Sequence, residues 1–200
     1  VVALNNLARA YIKLQNYDVA KSALKKARIF APKYFETYLN LAHIAKLESQ
    51  RTDIGDFTRK KYLRERQKYL NIAIKNNPND KRAYLEMGNY YLEQRDFKEA
   101  IKNFETALIY DDEYYEAYLG LAIANLKSDN LQKALLALRN AGALNSRSDE
   151  ISYYLAKMCI LDNRFDEAKD YLEDALSKAE NPEYYLEMGK IEYYKNNYTS

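Results

Sequence analysis

The side chains that most often carry enzyme chemistry are few in this chain. Its 200 residues include one histidine, His43, and one cysteine, Cys159. A single histidine cannot form a histidine-based metal cluster, and a single cysteine cannot form a paired-cysteine zinc site. The sequence also contains no glycine-rich phosphate loop and no HExxH metal motif. It therefore predicts no metal, no cofactor and no enzymatic activity within these residues.

The lone cysteine also bears on location. Cys159 excludes an internal disulfide, which fits a reducing compartment. No apolar run reaches the roughly 18 residues that span a bilayer, and Val1 does not open a signal-peptide pattern. These features favour a cytoplasmic location. Because the chain lacks an initiator Met, we expect a fragment of a longer chain, which leaves a periplasmic or membrane-tethered location open.

Charge is distributed unevenly along the sequence. The first 80 residues hold 16 basic and 7 acidic side chains, a net charge of +9, whereas the whole chain carries only +2. A basic helix with tyrosines can bind nucleic acid or an anionic membrane surface. However, Tyr62 and Tyr69 have the spacing of a buried face, so they are not expected to contact a ligand, and the basic residues are better explained as a solvated surface. The uneven charge also permits binding of an acidic partner or head-to-tail contact between chains. The densest basic run contains Arg59, Lys60, Lys61, Arg64, Arg66 and Lys68.

The elements that position these residues are indicated best by the stretch from Lys81 to Tyr114. Its apolar and small residues form two sets with helical spacing, and the polar segment between them, residues 93–96, is long enough only for a tight turn. A helix–turn–helix unit of this size cannot cover its own apolar faces, so it must stack on similar units. The two sets are Tyr84, Met87, Gly88 and Tyr91, then Phe97, Ala100, Phe104 and Ala107.

This pattern resembles the tetratricopeptide repeat family, with Asp112 in place of the usual proline. The same register recurs along the chain, and we assign repeats to residues 1–34, 35–80, 81–114, 115–148, 149–181 and a partial repeat at 182–200. The second repeat carries an insert near residues 49–60, after which a long helix is predicted with Asp56 as its N-cap. Arg66 occupies a position where the family has a small residue.

The resemblance implies an all-α fold: a right-handed superhelical solenoid of antiparallel helix pairs, about 11 helices in one array over residues 1–200. In such an array His43 and Cys159 lie three repeats apart, too far for a catalytic dyad. The helix that starts at Pro182 carries apolar residues on more than one side. We therefore expect that the chain continues beyond it, or that this helix supports self-association.

The resemblance also implies a concave groove, lined by the first helix of each repeat, that binds an extended peptide or helix of another protein. Asparagine amides at such positions can pair with any peptide backbone, although they also suit an ordinary polar surface. Leu119 and Ile123 are candidates for an apolar anchor, and His43 is either a solvated groove residue or a pH-sensitive contact. The candidate groove residues are Asn5, Asn6, Arg9, Lys13, Asn40, His43, Arg82, Glu86, Asn89, Leu119 and Ile123.

Recognition of a chaperone C-terminal tail is disfavoured, because Glu86 places a negative charge where the partner's carboxylate would dock. The predicted function is therefore a protein–protein interaction scaffold. Two alternatives stay open: a regulatory or substrate-docking arm of a larger enzyme, and binding of nucleic acid or an anionic surface through the basic N-terminal third.

Overall fold

The structure, a computed structural model, describes residues 1–198, and this part of the chain consists of eleven α-helices with no β-strand. The predicted all-α fold is confirmed. No helix among these residues is both long and apolar enough to cross a membrane. The helices are α1 (Val2–Lys13), α2 (Tyr17–Phe30), α3 (Phe35–Ser49), α4 (Asp56–Asn76), α5 (Lys81–Glu93), α6 (Phe97–Tyr110), α7 (Tyr115–Lys127), α8 (Leu131–Leu144), α9 (Asp149–Leu161), α10 (Phe165–Lys178) and α11 (Pro182–Tyr198).

Four helix pairs are closed by the same three-residue turn. Its middle residue adopts a left-handed backbone conformation, with φ near 60° at Gln15, Arg95, Asp129 and Asn163. The residue that follows is the N-cap of the next helix, and in the first such turn the Asn16 side chain accepts a hydrogen bond from the backbone N–H of Val19. So short a connection reverses the chain direction, which makes the two helices antiparallel in the pairs α1–α2, α7–α8 and α9–α10.

The chain forms two compact units, the first from Val1 to Tyr90 and the second from Tyr91 onward, so the boundary falls within α5. In the first unit, fully buried alanines such as Ala8, Ala20 and Ala73 let neighbouring helices approach closely. The second unit has one apolar cluster around α7 and α8 and another around α9, α10 and α11. Each unit therefore has a core of its own.

Within each unit, the first helix of a repeat is buried on a second face that the sequence pattern did not predict. Apolar residues outside the predicted core face, such as Ile44, Ala124 and Met158, are almost fully buried. This burial arises because α3 contacts both α1 and α2, and α9 contacts both α7 and α8. A first helix thus packs against the preceding repeat as well as against its own partner.

The insert of the second repeat mainly lengthens its two helices. The α3 helix has 15 residues and α4 has 21, compared with 12 to 14 in the first repeat. The N-cap of α4 is Gly55, so the prediction that Asp56 caps this helix is wrong by one residue. The Arg59 guanidinium donates hydrogen bonds to the carbonyl oxygens of Ser49 (2.6 Å) and Arg51 (3.2 Å), which holds the connecting loop against α4.

Candidate functional site

Asn5, a predicted groove residue, lies in the contact between α1 and α3. Its side chain is 2% exposed. The Asn5 amide nitrogen donates to Thr37 Oγ1 (3.0 Å) and to the Val1 carbonyl oxygen (3.2 Å), and its amide oxygen accepts from Asn40 Nδ2 (2.9 Å). The expectation that Asn5 faces an open groove is therefore wrong, because the neighbouring first helix covers it. Asn40 is half-buried and shares its amide with this network.

The other candidates on α1 have a different environment. Asn6, Arg9 and Lys13 are all exposed. They lie at i, i+3 and i+7, which places them on one side of the helix. These side chains are accessible to a ligand, and their role in binding stays a prediction.

Arg82 and its neighbours form an ion-pair group at the start of α5. The Arg82 guanidinium contacts Asp80 Oδ2 (2.8 Å) and Glu36 Oε1 (3.3 Å), and it lies over the ring of Phe35 with 5.4 Å to the ring centroid. The hydrogen bonds to Asp80 raise the pKa of Arg82 above its ordinary value. A ligand carboxylate at Arg82 would have to compete with these two acidic side chains.

Glu86 is engaged by a cation that the repeat pattern does not anticipate. Arg66 is 1% exposed, and its Nη2 lies 3.6 Å from Glu86 Oε2. The Arg66 guanidinium also lies over the ring of Tyr90, with 5.6 Å to the centroid. The large residue in the small-residue position is thus accommodated by a carboxylate and an aromatic ring on α5. Asn89, on the same helix, is half-buried.

His43 lies on α3, on the same helix as Asn40, and is exposed. Partial burial of the imidazole lowers the pKa of His43 below its ordinary value, and the Glu86 carboxylate acts in the opposite direction. The neutral form of His43 is therefore favoured. Its predicted role as a pH-sensitive contact stays a prediction.

Leu119 and Ile123, the two predicted apolar anchors, have different surroundings. Leu119 is 7% exposed and belongs to the core cluster of Leu138 and Met158, so the expectation that it faces a groove is wrong. Ile123 is half-buried and lines a pocket of about 240 Å³. This pocket, which we call the α7–α9 pocket, is lined by Ile123, Leu126, Lys127, Tyr154, Lys157, Ile160, Leu161 and Glu187.

The polar groups of the α7–α9 pocket differ in their ion pairing and exposure. Glu187 Oε1 is 3.0 Å from Lys190 Nζ and 3.9 Å from Lys157 Nζ, so the two lysines share one carboxylate. Lys127 is exposed. Burial raises the pKa of Tyr154 to about 12, which keeps its hydroxyl protonated. The pocket can accept an apolar side chain and offers Lys127 to a neighbouring carboxylate.

Leu126, Ile160 and Leu161 of this pocket were not among the predicted site residues. They occupy the twelfth and thirteenth positions of their repeats, near the ends of α7 and α9. The resemblance implied a groove lined by the first helix of each repeat, and Lys13, at the thirteenth position of the first repeat, was among the predicted groove residues. Applying that position and the one before it to the fourth and fifth repeats would have identified all three residues.

The predicted basic patch is only partly available to a ligand. Arg59 is committed to the loop carbonyls at Ser49 and Arg51. Lys60, Lys61, Arg64 and Lys68 are exposed on α4, and Lys61 lines a second cavity in the first unit.

No group of three or more His, Cys, Asp or Glu within residues 1–198 could hold a metal ion. Cys159 is 3% exposed, and burial raises the pKa of its thiol.

Comparisons with known proteins agree with the helix-pair architecture. Family models described as tetratricopeptide repeat match residues 1–27, 85–148 and 125–191, which together cover more than half of the chain. No curated protein matches significantly in sequence. Among solved structures, PilW, a widely conserved type IV pilus biogenesis factor, aligns with a TM-score of 0.78 and 18% identity, covering 98% of this chain and 93% of PilW.

Two further solved structures are similar. The pilF protein of Pseudomonas aeruginosa aligns with a TM-score of 0.77 and 16% identity, covering 99% of this chain and 91% of that protein. Yeast Tom70 aligns with a TM-score of 0.74 and 20% identity over 98% of this chain, which corresponds to only 40% of Tom70. At these identities the similarity concerns the fold, and function has to be argued from the site.

Proposed function

Because the chain belongs to the tetratricopeptide repeat family, we propose that it is a protein–protein interaction scaffold that binds a segment of a partner protein in the α7–α9 pocket. The observation that carries this proposal is the pocket itself. Its apolar lining and volume suit a buried side chain of leucine or phenylalanine size, the kind of anchor that dominates peptide recognition in grooves.

The charges around the pocket narrow the chemistry of the partner segment. Lys157 shares the Glu187 carboxylate with Lys190, whereas Lys127 is exposed at the rim. A partner with an acidic residue next to its apolar anchor would pair with Lys127 while the anchor fills the pocket. A basic residue at the same place would be repelled. We therefore expect an extended or helical segment that combines an apolar anchor with a nearby Asp or Glu.

The exposed face of α1 is a second candidate contact in the first unit. Asn6, Arg9 and Lys13 offer amide and cationic groups that suit the backbone and acidic side chains of a bound segment.

The same binding chemistry fits a second candidate function, the regulatory or substrate-docking arm of a larger enzyme. In that case the partner segment would belong to the enzyme's substrate.

A paired affinity capture from native lysate tests the proposal, with mass spectrometry as the readout. The pocket variant carries Lys127→Glu and Leu161→Glu, since both residues are exposed and line the pocket. The matched control carries Lys133→Glu and Leu136→Glu on α8, two exposed residues with the same change of charge and polarity outside the pocket.

We expect that a protein captured by the unmodified chain and by the control is lost with the pocket variant, by at least about tenfold in affinity when binding is repeated with purified partner. Equal capture by all three baits would contradict a role for the α7–α9 pocket. Thermal unfolding of each bait verifies that the substitutions leave the fold intact.

A further inference from the structure

The first unit contains a second cavity, of about 360 Å³, between α2, α3 and α4. We call it the α2–α4 cavity. Only one of its residues, Lys61, was among the predicted site residues, and none belongs to the α7–α9 pocket. It is lined by Lys21, Lys25, Arg28, Leu41, Ala45, Glu48, Lys61, Tyr62, Glu65 and Tyr69.

Helical periodicity brings these residues together. Lys21, Lys25 and Arg28 are spaced i, i+4 and i+7 along α2, and Leu41, Ala45 and Glu48 have the same spacing along α3. Tyr62 and Tyr69 lie two turns apart on α4. The lining is therefore made of one continuous stripe from each of three helices, of which α3 packs against both α2 and α4.

The cations of this cavity outnumber its carboxylates. Lys21 is paired with Glu48, at 2.6 Å from Nζ to Oε1, and also lies 5.7 Å from the ring centroid of Tyr62. Among the described residues, Lys25, Arg28 and Lys61 have no carboxylate within ion-pair distance. Arg28 lies over the ring of Tyr38, at 5.7 Å from the centroid. Three cations thus remain for an anionic ligand beside two aromatic walls.

Glu48 gives the cavity a buried hydrogen-bond acceptor that a ligand can satisfy. The residue is 5% exposed, and its Oε2 is buried without a hydrogen-bond partner in the part of the chain that the structure describes. A buried carboxylate oxygen that accepts no hydrogen bond destabilises the fold. A donor supplied by a ligand would remove this cost. Burial, reinforced by the Glu48 charge, raises the pKa of the neighbouring Tyr62.

We propose that the α2–α4 cavity binds an acidic segment of a partner protein, one in which carboxylates alternate with hydrogen-bond donors such as serine hydroxyls. The carboxylates pair with Lys25, Arg28 and Lys61, and a donor satisfies Glu48. Two features favour a peptide over nucleic acid. A phosphate backbone offers Glu48 no hydrogen-bond donor, whereas a serine hydroxyl does, and the concave cavity suits single side chains better than a continuous row of phosphates.

Fluorescence anisotropy with synthetic peptides tests this assignment on the full chain. The probe is a labelled peptide of alternating glutamate and serine. One comparison peptide replaces glutamate with glutamine, and another replaces serine with alanine. Unlabelled duplex DNA serves as a competitor. The cavity variant is Lys25→Glu with Lys61→Glu, and the matched control is Lys60→Glu with Lys68→Glu, because all four lysines are exposed and both variants have the same net charge.

The glutamate–serine peptide should bind the unmodified chain and the control with similar affinity, and the cavity variant at least about tenfold more weakly. The glutamine peptide should not bind, and the alanine peptide should bind more weakly than the serine peptide. Glu48→Gln should abolish that preference for serine. If both lysine variants weaken peptide binding equally, the assignment of the binding site to this cavity is wrong. If the serine and alanine peptides bind equally well, the proposed role of Glu48 is wrong. If duplex DNA binds more tightly than the glutamate–serine peptide, the assignment of a peptide ligand is wrong. None of these outcomes depends on the α7–α9 pocket.

Discussion

At the scale of single residues, Gly120 of α7 packs tightly against Phe104 of α6. Phe104 is fully buried, and a Cβ atom added at Gly120 would lie 2.6 Å from the Cε1 and Cζ atoms of its ring. No side chain larger than hydrogen fits there without displacing the ring. By contrast, a Cβ atom at Gly189 of α11 would meet no atom within 4 Å.

We predict opposite effects of alanine at these two glycines. Gly120→Ala should lower the free energy of unfolding by about 1–3 kcal/mol, because the new methyl group overpacks the contact with Phe104. Gly189→Ala should raise it by up to roughly 1 kcal/mol, because alanine favours the helix and meets open space. Urea denaturation of both variants measures the two changes, and an unaltered stability of Gly120→Ala would contradict the packing of Phe104.

The raised pKa of Tyr154 leads to a prediction about alkaline stability. Its pKa is about 12 in the folded chain, against an ordinary value of 10.0, because burial disfavours the phenolate. The folded state therefore holds this proton more tightly, so the corresponding stability is complete below pH 10 and is lost as the pH rises from about 10 to about 12. Two pKa units correspond to roughly 2–3 kcal/mol. Tyr154→Phe should lose less stability than the unmodified chain over this range, as measured by urea denaturation at each pH, and parallel losses would contradict the assignment.

At the scale of helices, the junction between α1 and α3 depends on one buried polar network. Asn5 connects Thr37 and Asn40 through its amide, and Thr37 is fully buried. A buried polar group that loses its partner costs more free energy than the hydrogen bond itself contributes. The network therefore fixes the position of one first helix relative to the next.

We expect Asn5→Ala to lower the free energy of unfolding by on the order of 1–3 kcal/mol, because Thr37 and Asn40 lose their partner in the helix contact. Asn6→Ala is the matched control, since Asn6 is exposed on the same helix, and its effect should stay within about 0.5 kcal/mol. Urea denaturation of the two variants distinguishes a structural role of Asn5 in the helix contact from a role in ligand binding in the groove. Equal small effects would restore Asn5 as a candidate binding residue.

The helices also show which features the sequence could predict. The recurring spacing of apolar residues in each repeat predicted the all-helical fold, because residues three or four positions apart share one buried face of a helix. The same register failed at Asn5 and Leu119. Their burial comes from the neighbouring repeat, which the pattern of a single repeat does not describe. The pairing of Arg66 with Glu86 was missed for a similar reason, since it joins two helices whose relative position follows from packing alone.

At the scale of the whole molecule, the two candidate ligand sites differ in both place and chemistry. The α7–α9 pocket belongs to the second unit and is mainly apolar, whereas the α2–α4 cavity belongs to the first unit and is rich in cations. The excess of basic residues in the first 80 positions, which the sequence showed, supplies these cations. Their arrangement around Glu48 depends on three helices and was not predictable from composition.

Burial is also unequal between helices, which predicts an uneven distribution of local stability. In α9, five residues including Tyr153, Ala156 and Met158 are buried. In α11, by contrast, Tyr185, Leu186 and Tyr193 are each more than half exposed. Helices with little buried surface open locally at a lower free-energy cost than well-packed helices do. Backbone amides of α11 should therefore exchange hydrogen faster than those of α9.

A pair of adjacent tyrosines allows this gradient to be tested at one contact. The Tyr184 hydroxyl donates to Asp149 Oδ2 at 2.6 Å and thereby connects α11 to α9, whereas Tyr185 is 58% exposed. Tyr184→Phe removes one hydrogen bond to a charged group, so exchange in α11 should accelerate by roughly tenfold or more. Tyr185→Phe should leave the rates unchanged. Hydrogen exchange with mass spectrometry measures both variants. Protection of α11 equal to that of α9, or the same response to both substitutions, would show that the contact with Asp149 does not control the opening of this helix.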